Sequence, residues 1–216
     1  MGMYVKYCGC QTEDDYLLLS TSRADIIGFI FADSKRKVTI EEVSSWVGSH
    51  EKRKLIAGVF QNSSIEEMVS AAEKVPLDII QCHGNESVST IINLKKLTKK
   101  LIFKAIPYND TISEQISVYA KYADAIVVDS ESKGQFGGTG ISFSWNQVPA
   151  ILKEAKKENV PCFIAGGINP ENINTLLDYD PYGVDLSGGI EYEGKKSSDR
   201  IKKLERMILH ANSDRT

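Results

Sequence analysis

One rhythm runs through this chain from end to end: a short β-branched or aromatic run, a polar turn, then a segment with helical spacing. The short runs are Met3–Cys8, Asp25–Phe31, Leu55–Phe60, Leu77–Cys82, Leu101–Ile106, Ala123–Asp129, Cys162–Ala165 and Gly183–Leu186. They are near-continuously apolar rather than alternating. Strands covered on both faces look like this, as in a parallel sheet wrapped by helices. The segments between them carry helix-start chemistry. Thr12 precedes the acidic turn Glu13-Asp14-Asp15, Thr39 and Glu42 have capping-box spacing, Ser64 and Glu67 repeat it, and Asn169-Pro170 puts a cap before a proline expected at the first helical position. The tail Ser197–His210 places Ile201, Leu204, Met207 and Ile208 on one helical face.

Spread over eight units, 216 residues give 27 per unit, enough for a strand, a crossover helix and their turns. A closed (β/α)₈ barrel and a doubly wound open sheet both fit; the count of eight favours closure. No linker or low-complexity tract divides the chain, so residues 1–216 read as a single α/β domain, a (β/α)₈ TIM barrel.

Composition narrows the function. The formal charge is 26 − 29 = −3, with 42% hydrophobic and 25% charged residues, as in an ordinary globular protein. The mild acidity argues against nucleic-acid binding through bulk charge. The short basic runs Lys35-Arg36-Lys37 and Lys195-Lys196 read as solvated faces. No apolar run approaches the length needed to cross a bilayer, and the N-terminus lacks a signal-peptide core. The four cysteines form no paired framework and no zinc spacing, so a reducing cytoplasm with free thiols is expected. No dinucleotide or Walker fingerprint appears, and no metal-ligand cluster, so neither cofactor nor metal is inferred. The absence of a strongly apolar surface stripe suits a monomer, with a homodimer as the alternative.

A barrel of this kind does its chemistry at the C-terminal ends of its strands. There the pattern places Cys8, Arg36, Gln81, His83, Asp129, Gly137-Gly138-Thr139-Gly140, Gly166-Gly167 and Ser187-Gly188-Gly189. Three glycine sets at adjacent strand ends suit a phosphate cradle of main-chain N–H groups, and Gly188-Gly189-Ile190-Glu191 has the form of a short extra helix opening onto an anion. Cys8 and Asp129 would face one another across a small substrate, as base and acid. Lys6 or a cluster of backbone N–H groups could lower the thiol pKa. Taken singly, Cys8 also reads as a buried small hydrophobe, Asp129 as a turn cap, and His83 as either a base or a histidine bonded to backbone.

These blocks resemble the phosphoribosylanthranilate isomerases of tryptophan biosynthesis. The matching segments run in order from Val5-Lys6-Tyr7-Cys8-Gly9 through Ser34-Lys35-Arg36, Gln61-Asn62, Gln81-Cys82-His83-Gly84, Val128-Asp129-Ser130, Gly137-Gly138-Thr139-Gly140 and Ala165-Gly166-Gly167-Ile168-Asn169-Pro170 to Asp185-Leu186-Ser187-Gly188-Gly189-Ile190-Glu191. The resemblance implies an Amadori rearrangement of N-(5-phosphoribosyl)anthranilate to 1-(2-carboxyphenylamino)-1-deoxyribulose 5-phosphate. In it Asp129 would be the general acid, Cys8 the general base and Arg36 the anthranilate carboxylate anchor. Gln81 and His83 would bind substrate, and Gly138, Thr139, Gly140, Gly166, Gly167, Ser187, Gly188 and Gly189 would surround the phosphate.

The chain departs from the family pattern in four places: Ser144 replaces an aspartate, Gly188 a serine and Cys82 a leucine, and the Gly9–Thr12 loop is one residue longer than its commonest form. Other sugar-phosphate barrels are the alternative. An indole-glycerol-phosphate synthase would need a catalytic lysine, for which only Lys104 is suggestive, and a metal-dependent epimerase would need clustered ligands. A non-catalytic sugar-phosphate sensor is a further alternative.

Overall fold

A computed structural model describes residues 2–129, 131–132, 135–136 and 145–213. Eight parallel strands close into a barrel in chain order: β1 (Tyr4–Cys8), β2 (Ile26–Ile30), β3 (Leu55–Phe60), β4 (Ile79–Cys82), β5 (Leu101–Pro107), β6 (Ala125–Asp129), β7 (Cys162–Ala165) and β8 (Gly183–Leu186), with β8 pairing back onto β1. This decides between the two expected architectures in favour of the closed one. The helices are α1 (Glu13–Ser20), α2 (Ile40–Gly48), α3 (Ile65–Lys74), α4 (Val88–Thr98), α5 (Ile112–Tyr119), α6 (Val148–Lys157), α7 (Ile173–Leu177) and α8 (Ser198–Ser213).

Alternation along the strands builds two cores. Ile26, Ala57, Ile79, Phe103, Ala105, Ala125, Val127, Phe163 and Ala165 fill the barrel interior, where the Phe103 and Phe163 rings lie 5.5 Å apart. The opposite faces, among them Tyr7, Ile27, Phe29, Ile80, Ile126 and Ile164, pack against the helices. The helix starts follow the local chemistry expected of them. Thr12 Oγ1 accepts from Asp15 N at 3.1 Å, and full capping boxes close at Thr39/Glu42 and Ser64/Glu67. The extra residue of the Gly9–Thr12 loop thus ends in a helix cap. The proline helix differs from expectation. Asn169 O accepts from both Asn172 N and Ile173 N, so Pro170 opens a tight turn and α7 begins only at Ile173.

The strands also begin inside the runs read from sequence. Asp25, Asp78 and Asp124 each stand one residue before an even-numbered strand and turn back on the preceding odd one. Their Oδ2 atoms accept from Val5 N (2.8 Å), Ile56 N (2.8 Å) and Ile102 N (2.7 Å). One carboxylate device, used three times, secures the N-terminal rim and leaves the opposite rim to the loops that carry reactive groups.

Candidate active site

Cys8 closes β1 and shares the inward face of Lys6, two residues earlier. Inside the barrel Lys6 Nζ donates to Asp185 Oδ2 of β8 at 2.7 Å, with the ammonium fully buried. Burial works against the ammonium, but the Asp185 carboxylate and Cys8 together outweigh it, so the Lys6 pKa is raised and the charge is held. The same burial pushes the Cys8 thiol up. Lys6 and, more weakly, Lys196 pull it back without cancelling the rise. Gly28, paired with Cys8 across β1 and β2, makes the space: a Cβ there would come within 2.7 Å of Cys8 Sγ.

Across the barrel Asp129 closes β6, on the inward face set by Ala125 and Val127. His83 follows β4 and brings Nε2 to 3.3 Å from Asp129 Oδ2. Its Nδ1 lies 2.9 Å from Gln81 Nε2. An amide nitrogen only donates, so Nδ1 accepts, and the proton of the neutral ring sits on Nε2 facing Asp129. Gln81 Oε1, Asp129 Oδ1 and Asp185 Oδ1 are buried without hydrogen-bond partners among the described residues. Inward-facing acceptors of this kind suit a ligand rich in hydroxyls. Lys104 is not part of this wall. It lies between inward-facing Phe103 and Ala105, so it points outward, and its ammonium binds Cys82 O, Gly84 O and the buried Glu86 carboxylate. The catalytic lysine required by the synthase alternative is therefore not supplied by this residue.

Both basic runs read from sequence as solvated contain a buried member. Arg36 and Lys196 are only 5% and 8% exposed because a third residue, Glu191, neutralises part of their charge. Arg36 Nε and Nη2 donate to Glu191 Oε1 and Oε2 at 2.6 and 2.7 Å. Lys196 Nζ donates to Glu191 Oε1 (2.8 Å), Cys8 O (2.7 Å) and Ser187 O (3.3 Å). Burial alone would raise the Glu191 carboxyl; the two cations outweigh it and hold the carboxyl below its ordinary range. Sequence reasoning named Arg36 but missed the other two. The only available signal was the run from Glu191 to Lys196, a small antiparallel ribbon in the structure (Glu191–Tyr192 with Lys195–Lys196).

The glycine loops come together after β7 and β8. Gly166 and Gly167 both have positive φ, 86° and 68°, which an L side chain rarely adopts, and Gly167 O accepts from the Asn169 and Asn172 amides. The expected extra helix after β8 is a single 3₁₀ turn, Gly188–Ile190. Gly189 is obligatory for space: its Cβ would fall 1.8 Å from Ile168 O. Ser187 Oγ donates to Cys8 O at 3.1 Å, so it braces β1. Gly138, Thr139 and Gly140, and with them Ser144, lie outside the described residues. Among the described residues no group of three or more His, Cys, Asp or Glu side chains is placed to hold a metal ion, and no helix is long and apolar enough to cross a membrane.

Known proteins match this chain over nearly its whole length. The family model for N-(5′-phosphoribosyl)anthranilate (PRA) isomerase matches residues 5–207. The PRA isomerase of Geobacillus thermodenitrificans is 45% identical over 202 residues, 93% of this chain and 91% of its own. The chain belongs to the PRA isomerase family. It is an enzyme of that family, an isomerase of tryptophan biosynthesis built on a TIM barrel. The crystal structure of the Thermotoga maritima PRA isomerase superposes with a TM-score of 0.84 at 29% identity, covering 96% of this chain and 99% of that one. A second PRA isomerase structure, at a TM-score of 0.79, 27% identity and coverage of 98% and 99%, is a complex with reduced 1-(o-carboxyphenylamino)-1-deoxyribulose 5-phosphate.

Proposed function

We propose that this PRA isomerase carries out its Amadori rearrangement with Asp129 as general acid and Cys8 as general base, on N-(5-phosphoribosyl)anthranilate bound across the barrel mouth. The observation that carries this reading is the inward placement of both groups at the C-terminal rim, with one Asp129 oxygen held against His83 and the other without a partner among the described residues. Asp129 gives a proton to the furanose ring oxygen as the C1–O bond breaks, and the anilino nitrogen lone pair forms the C=N bond of a protonated Schiff base. The Cys8 thiolate takes the C2 proton, and the electrons of that C–H bond neutralise the iminium to an enolamine. Proton transfer from the C2 hydroxyl to C1 gives the ketone. Asp129 has lost one proton and Cys8 has gained one; exchange with water restores both.

Lys6 stabilises the thiolate as it forms, because its charge is held by Asp185 in a water-poor interior where a fixed cation acts strongly. Gln81 orients His83, and His83 Nε2–H holds Asp129 Oδ2, so Oδ1 is left to meet the ring oxygen. Arg36 takes the anthranilate carboxylate. The main-chain amides of Gly166, Gly167, Gly188 and Gly189, with those of Gly138, Thr139 and Gly140, surround the phosphate. The four free, buried thiols fit a cytoplasmic enzyme. The chain acts as a monomer, for which light scattering should return a mass near 23.9 kDa; twice that value would establish a dimer.

The test is the loss of substrate fluorescence on freshly made phosphoribosylanthranilate, with wild type, Cys8→Ala and Asp129→Asn. Each variant should fold and lose roughly 10²–10⁴-fold in kcat, the range of a lost acid or base. Near-normal turnover in either variant would strip that residue of its part in proton transfer.

A further inference from the structure

Arg36 is gripped along one edge by Glu191. Glu191 occupies the edge of the guanidinium formed by Nε and Nη2, in a two-pronged contact at 2.6 and 2.7 Å. A guanidinium has a second forked edge, formed by Nη1 and the outer hydrogen of Nη2, and a planar group locked along one edge presents the other in a fixed direction. The channel around the side chain is close-fitting. A Cβ on Gly9 would lie 2.4 Å from Arg36 Cδ, and one on Gly188 3.3 Å from Nη2.

Lys196 connects this grip to the catalytic strand. Its buried ammonium binds Glu191 Oε1, the carbonyl of Cys8 and the carbonyl of Ser187. One ammonium thus sets the spacing among the thiol-bearing end of β1, the start of the β8 loop and the Arg36 anchor. The charges also matter. Arg36 and Lys196 bring +2 and Glu191 brings −1, so the largely buried trio carries +1, the complement of one carboxylate. Without Lys196 the Arg36–Glu191 pair would be neutral and offer an incoming anion little.

We propose that Glu191 and Lys196 are positioning residues that set the enzyme's preference for a carboxylate-bearing arylamine: Glu191 aims the second edge of Arg36, and Lys196 supplies the surplus charge and fixes the distance from that edge to Cys8. This rests on the reading of Arg36 as the carboxylate anchor.

The experiment compares kcat/KM for N-(5-phosphoribosyl)anthranilate with that for N-(5-phosphoribosyl)aniline, which lacks only the carboxylate. Arg36→Met should bring the ratio close to one. Glu191→Gln and Lys196→Met should each lower the ratio about tenfold or more, the loss expected for a misaligned charge-assisted hydrogen bond. For Glu191→Gln most of the change should appear in KM for the anthranilate, with constants for the aniline compound within about threefold of wild type; Lys196→Met also loses its bond to the Cys8 carbonyl, so its kcat should fall on both substrates while the ratio still drops. The near-isosteric Glu191→Gln, with circular dichroism and a thermal melt, separates aim from fold; Lys196→Met reads the same ratio independently. Equal losses on both substrates, or an unchanged ratio, would overturn the proposal and leave the pair as scaffolding. An unchanged ratio in Arg36→Met would instead bring down the carboxylate reading on which it rests.

Discussion

Lys6 and Asp185 meet at 2.7 Å inside the barrel, on adjacent strands and directly in register, beneath the thiol of Cys8. A charge pair is an expensive way to fill a barrel interior, since apolar side chains of similar volume would serve stability as well or better. Its position gives it a part in the proposed mechanism: it holds a cation where the Cys8 thiolate would form.

Replacing Lys6 with Met leaves Asp185 buried and unpaired. Urea denaturation should show a loss of about 3–5 kcal/mol, the usual cost of breaking one side of a buried pair. Because Lys6 lowers the Cys8 thiol, the rise of kcat with pH should also move to higher pH. The double replacement Lys6→Met with Asp185→Leu should recover much of the stability and none of the turnover. Recovery of turnover as well would show that the pair is not needed for the chemistry.

Gly28→Ala adds one methyl group 2.7 Å from Cys8 Sγ. No sulfur–carbon contact survives at that distance, so the thiol must turn or β1 must shift. Misplacing a reacting group by about an ångström costs on the order of 10²-fold. The fluorescence assay should show a loss of that size in kcat, with a melting temperature lowered by about 2–12 °C for an overpacking cost of about 1–3 kcal/mol. Wild-type kcat in the variant would mean that the thiol has another workable position.

Gly189→Ala collides with main chain rather than with a movable side chain, 1.8 Å from Ile168 O. The loops after β7 and β8 must then part. If these loops flank the phosphate, as proposed above, inorganic phosphate should inhibit the variant at least about tenfold more weakly than wild type, with KM raised more than kcat is lowered. Unchanged phosphate inhibition would place the anion elsewhere.

Cys82 and Cys162 carry a pH dependence away from the active site. Burial pushes both thiols from 9.0 up to about 12, with Glu86 adding to the rise at Cys82. A group raised in the folded state stabilises below its unfolded pKa and loses that contribution as pH climbs toward the folded value. Stability should therefore be flat through neutrality and fall between about pH 9 and 12, by at most about 4 kcal/mol per thiol at 1.36 kcal/mol per unit. Urea midpoints at pH 7, 9 and 10.5 test this. Cys162→Ala should start slightly less stable and fall less steeply.

The strand runs, the capped helix starts and the inward positions of Cys8 and Asp129 were all legible, since each depends on a local spacing: period two along a strand, three residues from Thr39 to Glu42, one glycine pair per turn. The misreadings have three separate origins. Lys35-Arg36-Lys37 and Lys195-Lys196 look alike on paper, and one cation in each is buried. What decides their burial is Glu191, 155 residues from Arg36 along the chain. Lys104 invited a catalytic reading because it falls in the fifth strand run, but its parity in β5 turns it outward to Glu86. Pro170 looked like a first helical residue, and the two amides bonding to Asn169 O made it the opening of a turn instead.

The sequence by itself determined the βα count, the helix caps, the glycines and the order of reactive groups along the chain, because these are settled within a few residues of backbone. Only the tertiary structure decided which charges are neutralised and by whom: Lys6 by Asp185, Arg36 and Lys196 by Glu191, Lys104 by Glu86. The physical reason is that a charge leaves water only when an opposite charge meets it at hydrogen-bonding distance, and closing the barrel is what brings together partners up to 179 residues apart.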